Sequence, residues 1–409
     1  MNSRKVGSVL LLILKIACVG TAAVLLLFYL NSWYKKDSSH FNHELDKFYS
    51  IQDHEPFMIT NVGSSHGDYG FDYSSLESSG WKCFNFGMPS QTYEYDLALL
   101  KQYSDHFAEG GIMFIPVSYF SFNDETVTDA EKEASEVRYY QVLSPENNPD
   151  YSWFKDLTTN RLPILTGYSK NLTTYQDIYK QEHDGARLDD LLSPLQLFSA
   201  LPVQAAGEDA AAAGTTAADT AVSDAGTADS AAETSDAAAG TSAGTDTGTA
   251  AAIPSTGKAL QAYIENLVGP TTVERYKKLG EERYHRHFDG KADYFEQERI
   301  DQLKEIIAFC KSKKITPVLV TTPYMVYYTE YIDDSFWNQF YATIDRICQE
   351  EQVQYYDYGR DDRFQYTFGY FADGDHLNDA GRTYFLQCLE TDVPAFTELL
   401  SNGPGSLKK

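Results

Sequence analysis

The stretch Tyr370 to Arg382, YFADGDHLNDAGR, holds Asp373 and His376 three residues apart, just before a helical pattern. In a tight turn, a carboxylate at that spacing accepts the imidazole Nδ1–H. This fixes the tautomer and leaves Nε2 free to take a proton from a hydroxyl. A helix opening near Asn378 or Asp379 adds a positive dipole end, which favours the neutral imidazole a general base needs. Asp375, the other carboxylate of the turn, is less well placed as the immediate neighbour of the histidine. A hydroxyl for this pair lies near the other end of the chain. Asn61 to Gly70 reads NVGSSHGDYG, and GSSHG fits G-x-S-x-G, a strand-to-helix turn that exposes a nucleophilic serine. The candidate triad is therefore Ser65 as nucleophile, His376 as base and Asp373 as orienting acid. His66 reads as a loop side chain near the pocket. His285 and His287 have no third ligand at a telling distance, and the five cysteines show no C-x-x-C spacing. No metal and no cofactor is expected.

These residues need elements to hold them. Phe57 to Val62 reads as a strand delivering Ser65, Cys83 to Phe86 as a second and Ile112 to Val117 as a third, buried one. Thr92 to Phe107 has helical spacing between them. Farther along, Glu296 to Ser312 places Ile300, Leu303, Ile306, Ile307 and Cys310 on one helix face. Strand Ile315 to Thr321, helix Trp337 to Glu350, strand Val353 to Tyr358 and helix Ala380 to Leu389 follow. Arg138 to Ser144 and Asn171 to Lys180 read as helices covering an edge or a cleft. Alternation of strand and helix predicts an α/β fold: a three-layer α/β/α sandwich with a mostly parallel sheet shared by both halves.

Between the halves, Ala205 to Ala252 is built of Ala, Gly, Thr, Ser and Asp, without aromatic or basic residues. Such a tract cannot bury enough apolar surface to offset its ordering entropy, and it reads as a disordered insertion. At the start, Gly7 to Leu30 is apolar enough to cross a bilayer, with Arg4 and Lys5 before it and Trp33 and Tyr34 after it. That pattern predicts an uncleaved single-pass anchor in the cell membrane. Its N-terminus would be cytoplasmic and the bulk of the chain extracytoplasmic. The expected divisions are 1–36 for the anchor, 37–204 and 257–409 for the two parts of one domain, and 205–256 for the insertion. A formal net charge of -26 excludes a nucleic-acid backbone as partner.

Ser65 follows its anchor by too short a stretch for an α/β-hydrolase. There the nucleophile comes after several strands and an HGGG-like segment, whereas here one strand fits. A serine after the first strand, with Asp and His near the C-terminus, resembles the SGNH/GDSL hydrolase superfamily. Gly63-Ser64-Ser65-His66 is similar to its first block, Asn85-Phe86-Gly87 to its second, and Asp373 to His376 with Leu377 and Asn378 to its last. The resemblance implies that the Ser65 and Gly87 amides hold an oxyanion. The third block departs from G-x-N-D: Val117 to Asp124 reads VSYFSFND, so either Asn123 or Ser118 would supply the remaining donor. With an anchor, the chain looks most like the envelope subgroup of DltD-type proteins of lipoteichoic-acid D-alanylation and AlgJ/AlgX-type proteins of polysaccharide acetylation. This implies a serine esterase or O-acyltransferase acting on an acylated glycan or cell-envelope polymer, beside a multi-pass membrane O-acyltransferase. The alternative is a noncatalytic module of the same fold that binds a glycan or that partner.

Overall fold

The computed structural model describes residues 3–36, 45–51, 56–123, 135–165, 254, 257–289 and 294–404. The expected helix at 171–180 and the expected insertion at 205–256 lie outside the described residues, apart from residue 254. Five parallel strands form one sheet in the order β2-β1-β3-β4-β5. They are β1 (Phe57–Asn61), β2 (Cys83–Asn85), β3 (Phe107–Pro116), β4 (Thr316–Thr321) and β5 (Gln354–Asp357). The two halves of the sequence meet at the β3–β4 pair, where Phe114 lies beside Val318.

Side-chain alternation along the strands feeds two cores. In β3, Met113 and Ile115 point to one face, and Ile112 and Phe114 to the other. The first face is covered by helices Tyr93–Gln102, Gln297–Ser312 and Asp334–Glu351, through residues such as Leu99, Leu303, Ile307 and Phe340. The second is covered by Asp379–Asp392 and Pro394–Asn402, through Phe385, Leu389 and Phe396. Each such fully buried side chain contributes about 1.5–3 kcal/mol. This is the expected α/β fold with helices on both faces of a parallel sheet.

Some boundaries differ from the pattern reading. β3 starts at Phe107, ahead of the apolar run, because Phe107 pairs with Phe57 and an irregularity in the β1–β3 register absorbs the residues between. The preceding helix therefore stops at Gln102. The Asp334–Glu351 helix starts before its first apolar residue because the Asp333 side chain caps the Phe336 amide at 2.8 Å. Arg138–Gln141 is only a short 3₁₀ turn. Helix Pro270–Phe288, highly charged and unremarked in the pattern, turns out to frame the site. At the N-terminus, helix Ser3–Lys36 contains an apolar stretch, Leu11–Lys35, long enough to cross a membrane.

In a doubly wound sheet of this order, the neighbours of β1 leave its carboxyl end in opposite directions. The resulting crevice is where such folds place ligands. Ser65 follows β1 and Ser118 follows β3, so both lie at this switch point.

Candidate active site

β1 is buried along its whole length and ends at Asn61; Gly63 then turns the chain with φ of 114°. A side chain there would be strained by the backbone and pressed against the Pro116 ring. The turn delivers Ser65 as the first residue of a short helix, Ser65–Gly70. Its Oγ lies 2.8 Å from His376 Nε2, and His376 Nδ1 lies 2.7 Å from Asp373 Oδ2. Asp373 Oδ1 also accepts the amides of Asp375 (3.0 Å) and His376 (2.8 Å), so the carboxylate closes its own turn. The structure thus brings Ser65, His376 and Asp373 into one hydrogen-bonded chain. Asp375 is 3.8 Å from His376 Nδ1, outside bonding reach.

Asp375 belongs to a second network. Arg283 grips it with Nε at 2.6 Å and Nη2 at 3.2 Å, and His66 Nε2 lies 3.0 Å away. Two glycines permit this. A Cβ on Gly374 would meet Gly280 Cα at 2.8 Å, and one on Gly280 would meet the Tyr327 backbone at 2.6 Å. Bare backbone therefore lets helix Pro270–Phe288 lie against the Asp373–His376 turn. Arg283, three residues beyond Gly280, projects from the same face.

Charge follows from this packing. Burial works against ionised Asp375, but Arg283 first, then the neighbouring histidines, hold its carboxyl well below the usual range. Burial lowers His66 despite the Asp375 bond, so His66 is neutral. An ionised Asp375 only accepts, which puts the His66 proton on Nε2 and makes Nδ1 the acceptor. The Ser118 hydroxyl at 2.5 Å and the Tyr324 hydroxyl at 3.2 Å both face that Nδ1 as donors, Ser118 at the shorter distance. At His376 burial also opposes the cation, but Asp373 and Asp375 outweigh it and raise the pKa. The helix start is expected to favour neutral imidazole; the two carboxylates next to the ring act the other way and decide the direction.

Two of the expected oxyanion donors, the Gly87 amide and the Ser118 hydroxyl, are bonded to other groups. The Gly87 amide donates to Asn85 Oδ1 at 2.8 Å. Asn85 is a hub whose Nδ2 also bonds the carbonyls of Gly67, Asp68 and Phe71. Gly87 is glycine for packing: a Cβ would meet Asp68 N at 2.5 Å. The Ser118 hydroxyl is directed to His66. Asn123 is buried with Oδ1 unbonded, beyond the turn where Glu296 N bonds Phe122 O. The Ser65 amide, at a helix start, has no intrahelical acceptor and remains a donor.

His66, Asp375 and His376 offer three ligand atoms within 4.8 Å of one another. Arg283 already supplies the positive charge there, with Nη2 3.3 Å from His376 Nε2. His285 is exposed and bonds Asp289, while His287 bonds the Tyr328 hydroxyl at 2.8 Å, so the two diverge.

Residues 274–389 match the family model DltD, described as DltD protein. The DltD match takes in Arg283, β4, β5 and the Asp373–His376 turn, and leaves β1 to β3 with Ser65 outside it. It supports the DltD-type envelope subgroup among the expected relatives. A cell-envelope protein with a single apolar N-terminal helix is consistent with both findings. No curated protein is similar to the chain. Sequence reasoning missed Arg283 and the role of Asp375, since no spacing connects residues so far apart. The one available signal was two carboxylates in a turn with a single imidazole.

Proposed function

We propose that the chain is an extracytoplasmic serine esterase or O-acyltransferase acting on acyl esters of a cell-wall or surface polymer. Ser65, His376 and Asp373 would be its triad, in an SGNH-like arrangement. The observation that carries this is the unbroken chain from Asp373 through His376 to the Ser65 hydroxyl. The DltD family takes part in D-alanylation of cell-wall teichoic acids, which supports an acyl-modifying role in the envelope.

In the reaction, Ser65 Oγ attacks the ester carbonyl while its proton passes to His376 Nε2. Asp373 and Asp375 stabilise the imidazolium that forms. The departing alcohol takes the proton from Nε2, leaving an acyl-Ser65 ester. Water or a glycan hydroxyl then gives its proton to Nε2 and attacks the acyl carbon, and Nε2 passes that proton to Ser65 Oγ as the bond between Ser65 and the acyl carbon breaks. The Ser65 amide faces the developing oxyanion.

A second reading, a noncatalytic module that binds a glycan or a multi-pass membrane O-acyltransferase, draws on one observation: the Gly87 amide is bonded to Asn85. Labelling of the full chain with a fluorophosphonate probe separates the two. Labelling lost in Ser65→Ala and in His376→Ala establishes the activated serine. A folded wild type that stays unlabelled, alone and with a membrane O-acyltransferase, favours the binding module.

A further inference from the structure

The segment after the Arg138 turn is short and polar in its interior yet carries apolar side chains on its outside. It runs through Trp153–Lys155, Asp156–Arg161 and Pro163–Leu165. Buried Asp156 organises it, accepting from Tyr151 Oη (3.1 Å), Asn160 Nδ2 (3.0 Å) and Arg161 Nε (2.6 Å). Trp153 and Phe154 are nevertheless 64% and 65% exposed, and Leu165 is 53% exposed.

The segment is docked on the N-terminal helix. Asn31 Nδ2 donates to Arg161 O at 2.8 Å, and Ile164 N reaches Asn31 Oδ1 at 3.5 Å. Asn31 is buried by this contact; Leu27 and Tyr34 on the same face are half-buried, while Leu30, Ser32 and Trp33 are exposed. The location has a meaning. Asn31 follows directly on the apolar run Gly7 to Leu30, whose rise of about 36 Å is enough to cross a hydrocarbon core of about 30 Å. An amide side chain is costly in hydrocarbon unless bonded. Asn31 thus marks the far interface, and the segment bonded to it lies at that level. Trp33, also exposed, sits just beyond. Aromatic side chains favour this zone.

We propose that Trp153, Phe154 and Leu165 form a second membrane contact, seated in the lipid interface beside the point where the anchor emerges. The occupant is the bilayer itself, because the patch continues the surface of a helix that already crosses it. Attraction to anionic headgroups is not the driving force: Arg161 is bonded to Asp156, and Lys155 lies 3.9 Å from Glu136. The consequence reaches the site. Asn160 Nδ2 bonds Tyr140 O (2.7 Å), Tyr139 Oη bonds Gln91 Oε1 (3.2 Å), and Gln91 Nε2 bonds Gly63 O (3.3 Å), two residues before Ser65. Two contacts with the membrane, anchor and segment, fix the height and tilt of that serine, which one helix alone would leave free.

The test uses the full chain in phosphatidylcholine nanodiscs, with and without lipids brominated near the glycerol end of their chains. Subtracting the emission of Trp153→Phe from that of wild type isolates Trp153. Brominated lipid should quench that component about twofold or more, equally in neutral and anionic discs, and lipid should shield it from acrylamide. A Trp153 component that brominated lipid leaves untouched and acrylamide reaches freely overturns the proposal, whatever the chain's activity. Phe154→Cys, labelled with a polarity-sensitive dye in a Cys18→Ala background, gives an independent reading. Blue-shifted emission on transfer into discs supports the seat, and emission unchanged from water contradicts it.

Discussion

On one side of Ser65, the Asp373–His376 turn presents a fully bonded base, backed by Arg283 and Asp375. On the other, the Gly87 amide is bonded to Asn85, the Asn85 amide group to the carbonyls of the serine helix and Phe71, and the Ser118 hydroxyl to His66. The first side is built for proton transfer. The second is built for packing, with Asn85 stitching the serine helix to β2. Bond-forming machinery can therefore be complete while charge stabilisation still depends on one amide and on whatever the substrate or a partner contributes.

The comparison can be broken first at the triad. Asp373→Asn should lower the fluorophosphonate labelling rate about 10³–10⁴-fold, since the imidazole loses its fixed tautomer. A loss of less than about tenfold would mean that Asp375 can take over. Asp375→Asn should act on stability, because it removes the buried carboxylate that Arg283 grips, at a cost of about 3–5 kcal/mol read by denaturant unfolding. It should also move the acid limb of the pH–rate profile downward, because a carboxylate that raises His376 is gone. An unmoved limb would show that Asp375 does not act on the base.

Asp96 sharpens the other side. Its Oδ1 accepts from Gly63 N (2.8 Å) and Gln91 Nε2 (2.6 Å), its Oδ2 is buried without a partner, and burial pushes its pKa up to about 7. The folded state therefore holds this proton more tightly than the unfolded chain. Stability from this group is greatest in acid and falls as pH rises from 3.8 to about 7. Asp96→Asn should accordingly stabilise the protein above neutrality by about 2–4 kcal/mol, with the gap closing in acid. No gain in urea unfolding at alkaline pH would mean that the carboxylate has a partner there. The smallest effect should come from Ser118→Ala. Labelling should change less than about threefold, whereas loss of a true oxyanion donor costs about 10²–10³.

The sheet was legible because its strands are apolar runs bounded by turn residues, and helix Gln297–Ser312 because its apolar positions recur on one face. The Asp373–His376 contact was legible because it is local: a three-residue spacing in one turn. Ser65 could be joined to it through chain order and fold resemblance. Arg283 was not legible. It sits in a helix with a mostly charged surface, and its position depends on two glycines, Gly280 and Gly374, whose meaning appears only when backbones touch. Gly87 misled for a related reason. A glycine kept for close approach reads the same in sequence as one kept for its amide.

The β3–β4 pair at the centre of the sheet joins Ile112 to Thr316, across half of the chain. Loop-closure entropy grows only with the logarithm of length, so removing a tract such as 205–252 should change native stability by merely about 0.2–0.3 kcal/mol. Folding speed is another matter, since distant pairings must be found before they are rewarded. Until β4 is made and delivered, the half-sheet β2-β1-β3 shows an open edge along β3, a template for pairing with the wrong chain. The interval between synthesis of Pro116 and of Thr321 is thus the vulnerable stage in this protein's life, and it is longest in the chain with the longest middle.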